Sequence, residues 1–201
     1  MLFSKIKKLL KPSFWHINYK IYHENYDYDL EFNKAWYNGQ LTKSILNSRE
    51  VKYLKYYRKA QASQNTIWFN WYYNRLVHYS HKTGIGLYAN LNMGKGIIIG
   101  HAGTIIMNSG AIFAGNVFLT HGVTIGRDIR GKRKGAPTFG RNVCIRCNST
   151  VVGKITIGDD VLIAPNTFVN FDVPSHSVVI GNPATIHHRD NATEGHIAKI
   201  D

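Results

Sequence analysis

IGHAGTIIMNSGAIFAGNVFLTHGV, residues 99–123, holds two histidines, His101 and His121, each two residues after an apolar residue (Ile99, Leu119). The apolar residues belong to a pattern of period six. From Phe139 the steps fall on Ile145, Val151, Ile157, Ile163 and Val169. Four residues after each come Val143, Ser149, Ile155, Val161, Thr167 and Val173, small or β-branched throughout. Toward the N-terminus the step gives Leu87, Met93 and Ile99, then, after a two-residue slip, Met107, Phe113, Leu119 and Ile125.

Six is not a multiple of the helical 3.6, so an amphipathic helix does not produce this pattern. A plain alternating strand would not confine the large apolar residue to every third inward position. A short strand with a tight corner, repeated, does. Gly, Asn and Asp crowd the expected corners (Gly94, Gly100, Gly115-Asn116, Gly140, Asn142, Gly158-Asp159-Asp160), where positive φ is expected. Such units bury their apolar side only by stacking. The expected fold is mainly β, a parallel β-solenoid of roughly four triangular coils, about 20 Å tall.

Ile99 to Leu119 is three hexad steps, one full coil, so the two imidazoles are expected on one corner, about 5 Å apart along the axis. With residues 127–138 bulging out as a loop, three more steps reach Ile145. Cys147 then stands next in the column and Pro165 after it.

Composition changes near Thr83–Gly84. Residues 1–83 carry 14 Lys/Arg and 5 Asp/Glu, all four Trp and 11 of the 12 Tyr, whereas the remainder is Gly-, Ile- and Val-rich. Three parts are expected: a helical, basic and aromatic segment over 1–83, the solenoid over 84–186, and a mobile polar tail over 187–201. Helices are expected over Ser4–Leu10, from Asp29 as cap to Tyr37, over Thr42–Ala62, and after Asn65/Thr66 up to Gly84. The last carries a stripe of Trp68, Tyr72, Leu76 and Tyr79. The basic aromatic segment is expected to pack as a helical layer; a sugar platform or a peripheral contact with a membrane or glycan-assembly complex are its functional readings. No nucleic-acid motif accompanies the charge, so nucleic acid is not an expected partner.

No apolar run approaches the roughly 18 residues of a membrane span, and no signal-peptide pattern is legible in MLFSKIKKLLKPSFW. Together with two cysteines and no disulfide framework, this leads to an expected cytoplasmic location, with peripheral contact at the inner face of the plasma membrane as its extension. Cys144 and Cys147 form a C-x-x-C without a second pair, so no metal is expected; His176 and His187-His188 are not read as ligands.

IIIGHAGTII, LTHGVTIG, FGRNVCI, ITIGDDVLIAPNTFV and DVPSHSVVIGNPA resemble the hexapeptide-repeat acyltransferases of left-handed β-helix fold, over about Tyr73 to Ile186. More narrowly they resemble the serine acetyltransferase-like branch, with its relatives in capsule and surface-polysaccharide clusters. The resemblance implies a homotrimer using acetyl-CoA in a groove between neighbouring subunits. It points to His101 as the general base, with His121 as orienter, substrate contact or the base itself, and it maps pantetheine contacts near Cys147 and Pro165. A His suits the work because it titrates in the useful range and can later protonate the leaving thiolate. Lys132, Arg133 or Lys134 of the basic loop is read as meeting the coenzyme A phosphates; a solvated, mobile loop is the other reading.

Departures from that pattern bear on the acceptor. The acidic residue before the catalytic His is here Gly100, the acidic partner of that His maps to Gly86, and the Arg-His pair gripping a serine carboxylate maps to Gly135-Ala136. A zwitterionic acceptor without its charged partners binds poorly. The expected function is therefore O-acetylation of a saccharide hydroxyl in capsular or surface polysaccharide synthesis. Serine O-acetyltransferase and a non-catalytic solenoid scaffold are the alternatives. His101, lacking the usual carboxylate, is expected to be oriented by a carbonyl or by a group from a neighbour.

Overall fold

A computed structural model of the chain describes residues 15–200. The helix expected over Ser4–Leu10 lies outside them. Four helices come first: α1 (Tyr19–Trp36), α2 (Lys43–Leu46), α3 (Arg49–Ala62) and α4 (Phe69–Thr83).

Two helical expectations need correction. Asp29 does not cap a helix. Asn18 caps α1, its side chain accepting from Ile21 N at 3.1 Å, and Asp29 lies buried in mid-helix. A short polar residue reads as a cap in sequence, but this carboxylate is taken by a tertiary partner. The helix expected over Thr42–Ala62 breaks into α2 and α3, because Thr42 and Ser48 each cap a separate start. On α4 the stripe is also shifted: Leu76 is buried, Trp68 is exposed, and Phe69, Tyr72, Tyr73 and Tyr79 pack on the core.

From Gly84, which ends α4 in the left-handed region, the chain winds into strands β1 (Ile85–Gly86), β2 (Asn92–Met93), β3 (Ile97–Ile99), β4 (Ile105–Met107), β5 (Ile112–Leu119), β6 (Thr124–Gly126), β7 (Thr138–Ile145), β8 (Thr150–Val152), β9 (Thr156–Ile157), β10 (Val161–Ile163), β11 (Phe168–Val169), β12 (Ser177–Gly181) and β13 (Ala184–His188). All but the last form a left-handed parallel β-helix, and β13 folds back antiparallel on β12. One face is the parallel sheet β1-β4-β6-β8-β11. The long strands β5 and β7 turn through a corner and join the other two faces into one hydrogen-bonded sheet.

The hexads read correctly. Met93, Phe113, Phe139 and Ile157 stand in register on one face, and Ile99, Leu119, Ile145, Ile163 and Val179 on another. All are buried, and Phe113 and Phe139 stack with ring centroids 4.3 Å apart. The face built on β1 has five rungs because the hexads from Leu87 to Val169 run one step beyond the roughly four full coils expected. Gly94, Gly100, Gly140 and Gly158 do not take the positive φ expected of them; Gly115, Asn116, Asn142 and Asp160 do.

The helices are bound to the first coil by an ion pair out of water. Arg58 of α3 donates through Nε and Nη2 to the Asp29 carboxylate of α1 (2.7 and 3.0 Å), and through Nη1 and Nη2 to the carbonyls of Met93 and Gly94. Its remaining N–H meets Gln61 Oε1, so all five donors are used. Asp29 Oδ1 also accepts the Gly96 and Ile97 N–H groups.

The expected mobile tail is instead docked. Asp160 accepts from Ala192 N, Thr193 N and the Thr193 hydroxyl, and its other contact is His176 Nδ1 at 2.9 Å. Ile197 and Ala198 then cover the outward-facing column Ile98, Phe118, Cys144 and Leu162, together with Phe32 of α1. Polar composition suggested mobility, but a tail needs few apolar groups when a carboxylate holds its backbone.

Arg58→Met strands a buried carboxylate, and urea unfolding is expected to show a loss of about 3–5 kcal/mol; Asp29→Asn on that background recovers part of it. Partial burial alone would raise the Asp160 pKa, but the hydrogen bonds from Thr193, His176 and Ala192 hold it below the ordinary value. Its contribution is therefore full above the ordinary carboxylate range and lost as pH falls through the depressed value. Asp160→Asn is expected to cost about 2 kcal/mol at neutral pH, and the gap from the parent should close in acid.

Candidate active site

Two residues beyond the registered Ile99, Leu119, Ile145 and Ile163 the chain turns out of each strand, which puts His101, His121, Cys147 and Pro165 on one corner. All four line a groove of about 310 Å³. The imidazole centroids are 6.3 Å apart with planes at 56°, and both rings are exposed. Gly103 makes this closeness attainable, since at its φ of 154° a Cβ would stand 2.6 Å from His121 Cβ.

The groove has a second wall from outside the repeats. Trp36 and Tyr37, at the end of α1, line it with Phe118, Thr120 and Arg146. Trp36 packs on Phe118 with ring centroids 4.6 Å apart. This packing explains Gly100: a Cβ there would lie 2.8 Å from the Phe118 ring, so an acidic side chain has no room before His101.

A carboxylate nevertheless reaches the corner. Glu50, in the first turn of α3, accepts the Ala102 N–H at 2.7 Å, one residue past His101. Burial raises the Tyr37 pKa, and the negative charge of Glu50 adds to the shift. The N–H groups of Gly100 and Gly103 are likewise donated, to Leu119 O and Thr83 O. Hence the backbone N–H groups of Gly100, Ala102 and Gly103, on either side of His101, are committed.

Glu50, Trp36, Tyr37 and Arg146 did not emerge from the hexads. Arg146 had a readable signal, standing one place before Cys147 on the same corner; the other three come from helices whose placement no repeat encodes. Lys132, Arg133 and Lys134 do not line the groove. They are exposed on a loop that is pinned at both ends: Asp128 and Gly135 exchange backbone hydrogen bonds of 3.0 Å, and Lys154 N donates to Arg133 O. Cys144 faces outward but lies under the tail, its thiol donating to His196 O; burial pushes its pKa up to about 11, against the pull of Arg146. Among the described residues no group of three or more His, Cys, Asp or Glu could hold a metal ion. No helix among them is long and apolar enough to cross a membrane.

Chemically, the corner offers two imidazoles for proton transfer, an apolar slot between Trp36, Phe118 and Pro165, and the fixed positive charge of Arg146.

No protein-family model matches the chain. Serine acetyltransferase 2 of Arabidopsis thaliana is 35% identical over 105 residues, 51% of this chain and 32% of that protein. The serine acetyltransferase of Helicobacter pylori is 33% identical over 102 residues, 51% of this chain and 60% of that protein. The chain thus spans between about a third and three fifths of the curated relatives compared. Among solved structures, serine acetyltransferase from Vibrio cholerae superposes with a TM-score of 0.72 at 22% identity, covering 84% of this chain and 66% of that one. The soybean apoenzyme gives 0.71 at 23% identity, covering 84% and 69%. These likenesses establish the fold.

A thiol reagent is expected to modify Cys147 in the native protein and Cys144 only after unfolding, counted as one and then two labels by intact mass. Early labelling of Cys144 would mean that the tail does not stay docked.

Proposed function

We propose that this chain is an acetyl-CoA-dependent O-acetyltransferase and that its acceptor is the hydroxyl of serine. The observation that carries the reading is the stacked pair His101 and His121 at a groove walled by Cys147 and Pro165. Sequence similarity to serine acetyltransferases over half of the chain supports both the chemistry and the acceptor.

The residues suit the co-substrate. The slot between Phe118, Trp36 and Pro165 fits an apolar pantetheine arm, and the loop cations Lys132, Arg133 and Lys134 fit phosphate. Because those loop cations do not line the groove of their own chain, the reading places it between neighbouring subunits of a homotrimer. There His101 takes the acceptor's hydroxyl proton as that oxygen bonds to the thioester carbonyl carbon. As the carbon–sulfur bond breaks, the imidazolium returns the proton to the departing thiolate. His121 orients the acceptor or shares the proton. Glu50, through Ala102 N, fixes the backbone that carries His101, the role a carboxylate beside the histidine would otherwise fill.

The missing charges at Gly100, Gly86 and Gly135-Ala136 favour a second reading, a neutral saccharide hydroxyl as acceptor. Against it, Arg146 lines the groove and offers the positive charge that a serine carboxylate requires.

Thiol release from acetyl-CoA is expected with serine and not with neutral oligosaccharides; the opposite pattern gives the saccharide reading. His101→Ala should lower kcat by about 10²–10⁴, and a full loss in His121→Ala alone would reassign the base. Under the serine reading Arg146→Gln raises KM for serine well beyond its effect on KM for acetyl-CoA. Glu50→Gln, which keeps the acceptor oxygen for Ala102 N, should retain more kcat than Glu50→Ala.

A further inference from the structure

The N-terminal helices carry a surface that neither the core nor the groove uses. Trp15, Tyr19, Ile67, Trp68 and Trp71 are between 42% and 57% exposed. They are contiguous. Trp15, Tyr19 and Trp68 share a hollow of about 310 Å³ with Ile17 and Tyr72, and the Trp68 indole donates to Trp15 O at 3.0 Å. Trp71 packs edge-on against Tyr72, with ring centroids 4.8 Å apart. Cations stand among the rings: Lys59 Nζ lies 5.6 and 5.3 Å from the Tyr22 and Tyr72 centroids, and the Arg75 guanidinium lies 5.9 Å from Trp71.

Tryptophan and tyrosine side chains left in water at this density are unfavourable unless something covers them. Their rings, apolar with one polar edge, suit the headgroup depth of a bilayer, where Trp and Tyr concentrate. Lysines next to such rings add attraction to an anionic leaflet. The excess of 14 Lys/Arg over 5 Asp/Glu in residues 1–83 gives the segment the required sign.

We propose that this aromatic face, with Lys59 and Arg75 set among its rings, docks the protein on an anionic lipid bilayer. The docking is independent of the acceptor and of the chemistry in the groove.

Co-sedimentation of the full chain with vesicles tests it. Binding is expected to phosphatidylcholine mixed with phosphatidylglycerol, weak to phosphatidylcholine alone, and falling as salt is raised. Replacing Lys59 and Arg75 together by Gln should weaken binding on the order of tenfold. Trp15→Ala, Trp68→Ala and Trp71→Ala together should weaken it by about tenfold or more, with circular dichroism unchanged. Should the triple variant not fold, Trp71→Glu alone, at an exposed site, carries the same expectation. Absence of binding, equal binding to both vesicle types, or variants that bind like the parent would overturn the proposal. So would aromatic variants that change the oligomeric mass in solution and leave vesicle binding intact, since a second copy would then be what covers the face.

Discussion

Arg58 and Asp29 meet where water does not reach, and the rest of the structure hangs on how completely they satisfy each other. A buried guanidinium or carboxylate alone would be strongly destabilising. Here all five guanidinium donors have acceptors, and the carboxylate also takes two backbone N–H groups from the first coil. Such a network has little tolerance for alternatives, so it sets the position of two helices on the solenoid. Both helices then run on for about two turns to the corner that carries the histidines. From Asp29, α1 leads to Trp36 and Tyr37; back from Arg58, α3 leads to Glu50. The helical layer thereby becomes one wall of the groove and the anchor of the backbone next to His101.

A second constraint acts from outside the coil. Ile98, Phe118, Cys144 and Leu162 each precede an inward hexad residue and therefore point outward. An outward apolar column requires a cover, and Phe32 of α1 and the tail residues Ile197 and Ala198 provide it. The cover is held by Asp160, a left-handed corner residue whose carboxylate takes the backbone of Ala192 and Thr193. Core, helices and tail are consequently linked through one face of the β-helix, the face whose edge carries the histidines.

Phe118 connects that cover to the chemistry. Its ring lies under Trp36, beside the Arg146 guanidinium at 5.7 Å, and over the space that a side chain at position 100 would need. A glycine before His101 reads, in sequence alone, as a missing charge and hence as a neutral acceptor. In the folded protein it is also a steric consequence of an aromatic wall, and the groove draws positive charge from Arg146.

Period-six spacing determined the β-helix, the inward column from Leu87 to Val169, and the stacking of His101, His121, Cys147 and Pro165. Each of these follows from a repeat that can bury its apolar residues in only one register. The ion pair between α1 and α3, the cover over Phe118, the docked tail and the carboxylate behind Ala102 were decided by the tertiary structure. They join residues such as Asp29 and Arg58, or Glu50 and Ala102, that no local periodicity relates. Their partners are specified by burial and hydrogen-bond satisfaction, which exist only once the chain has closed.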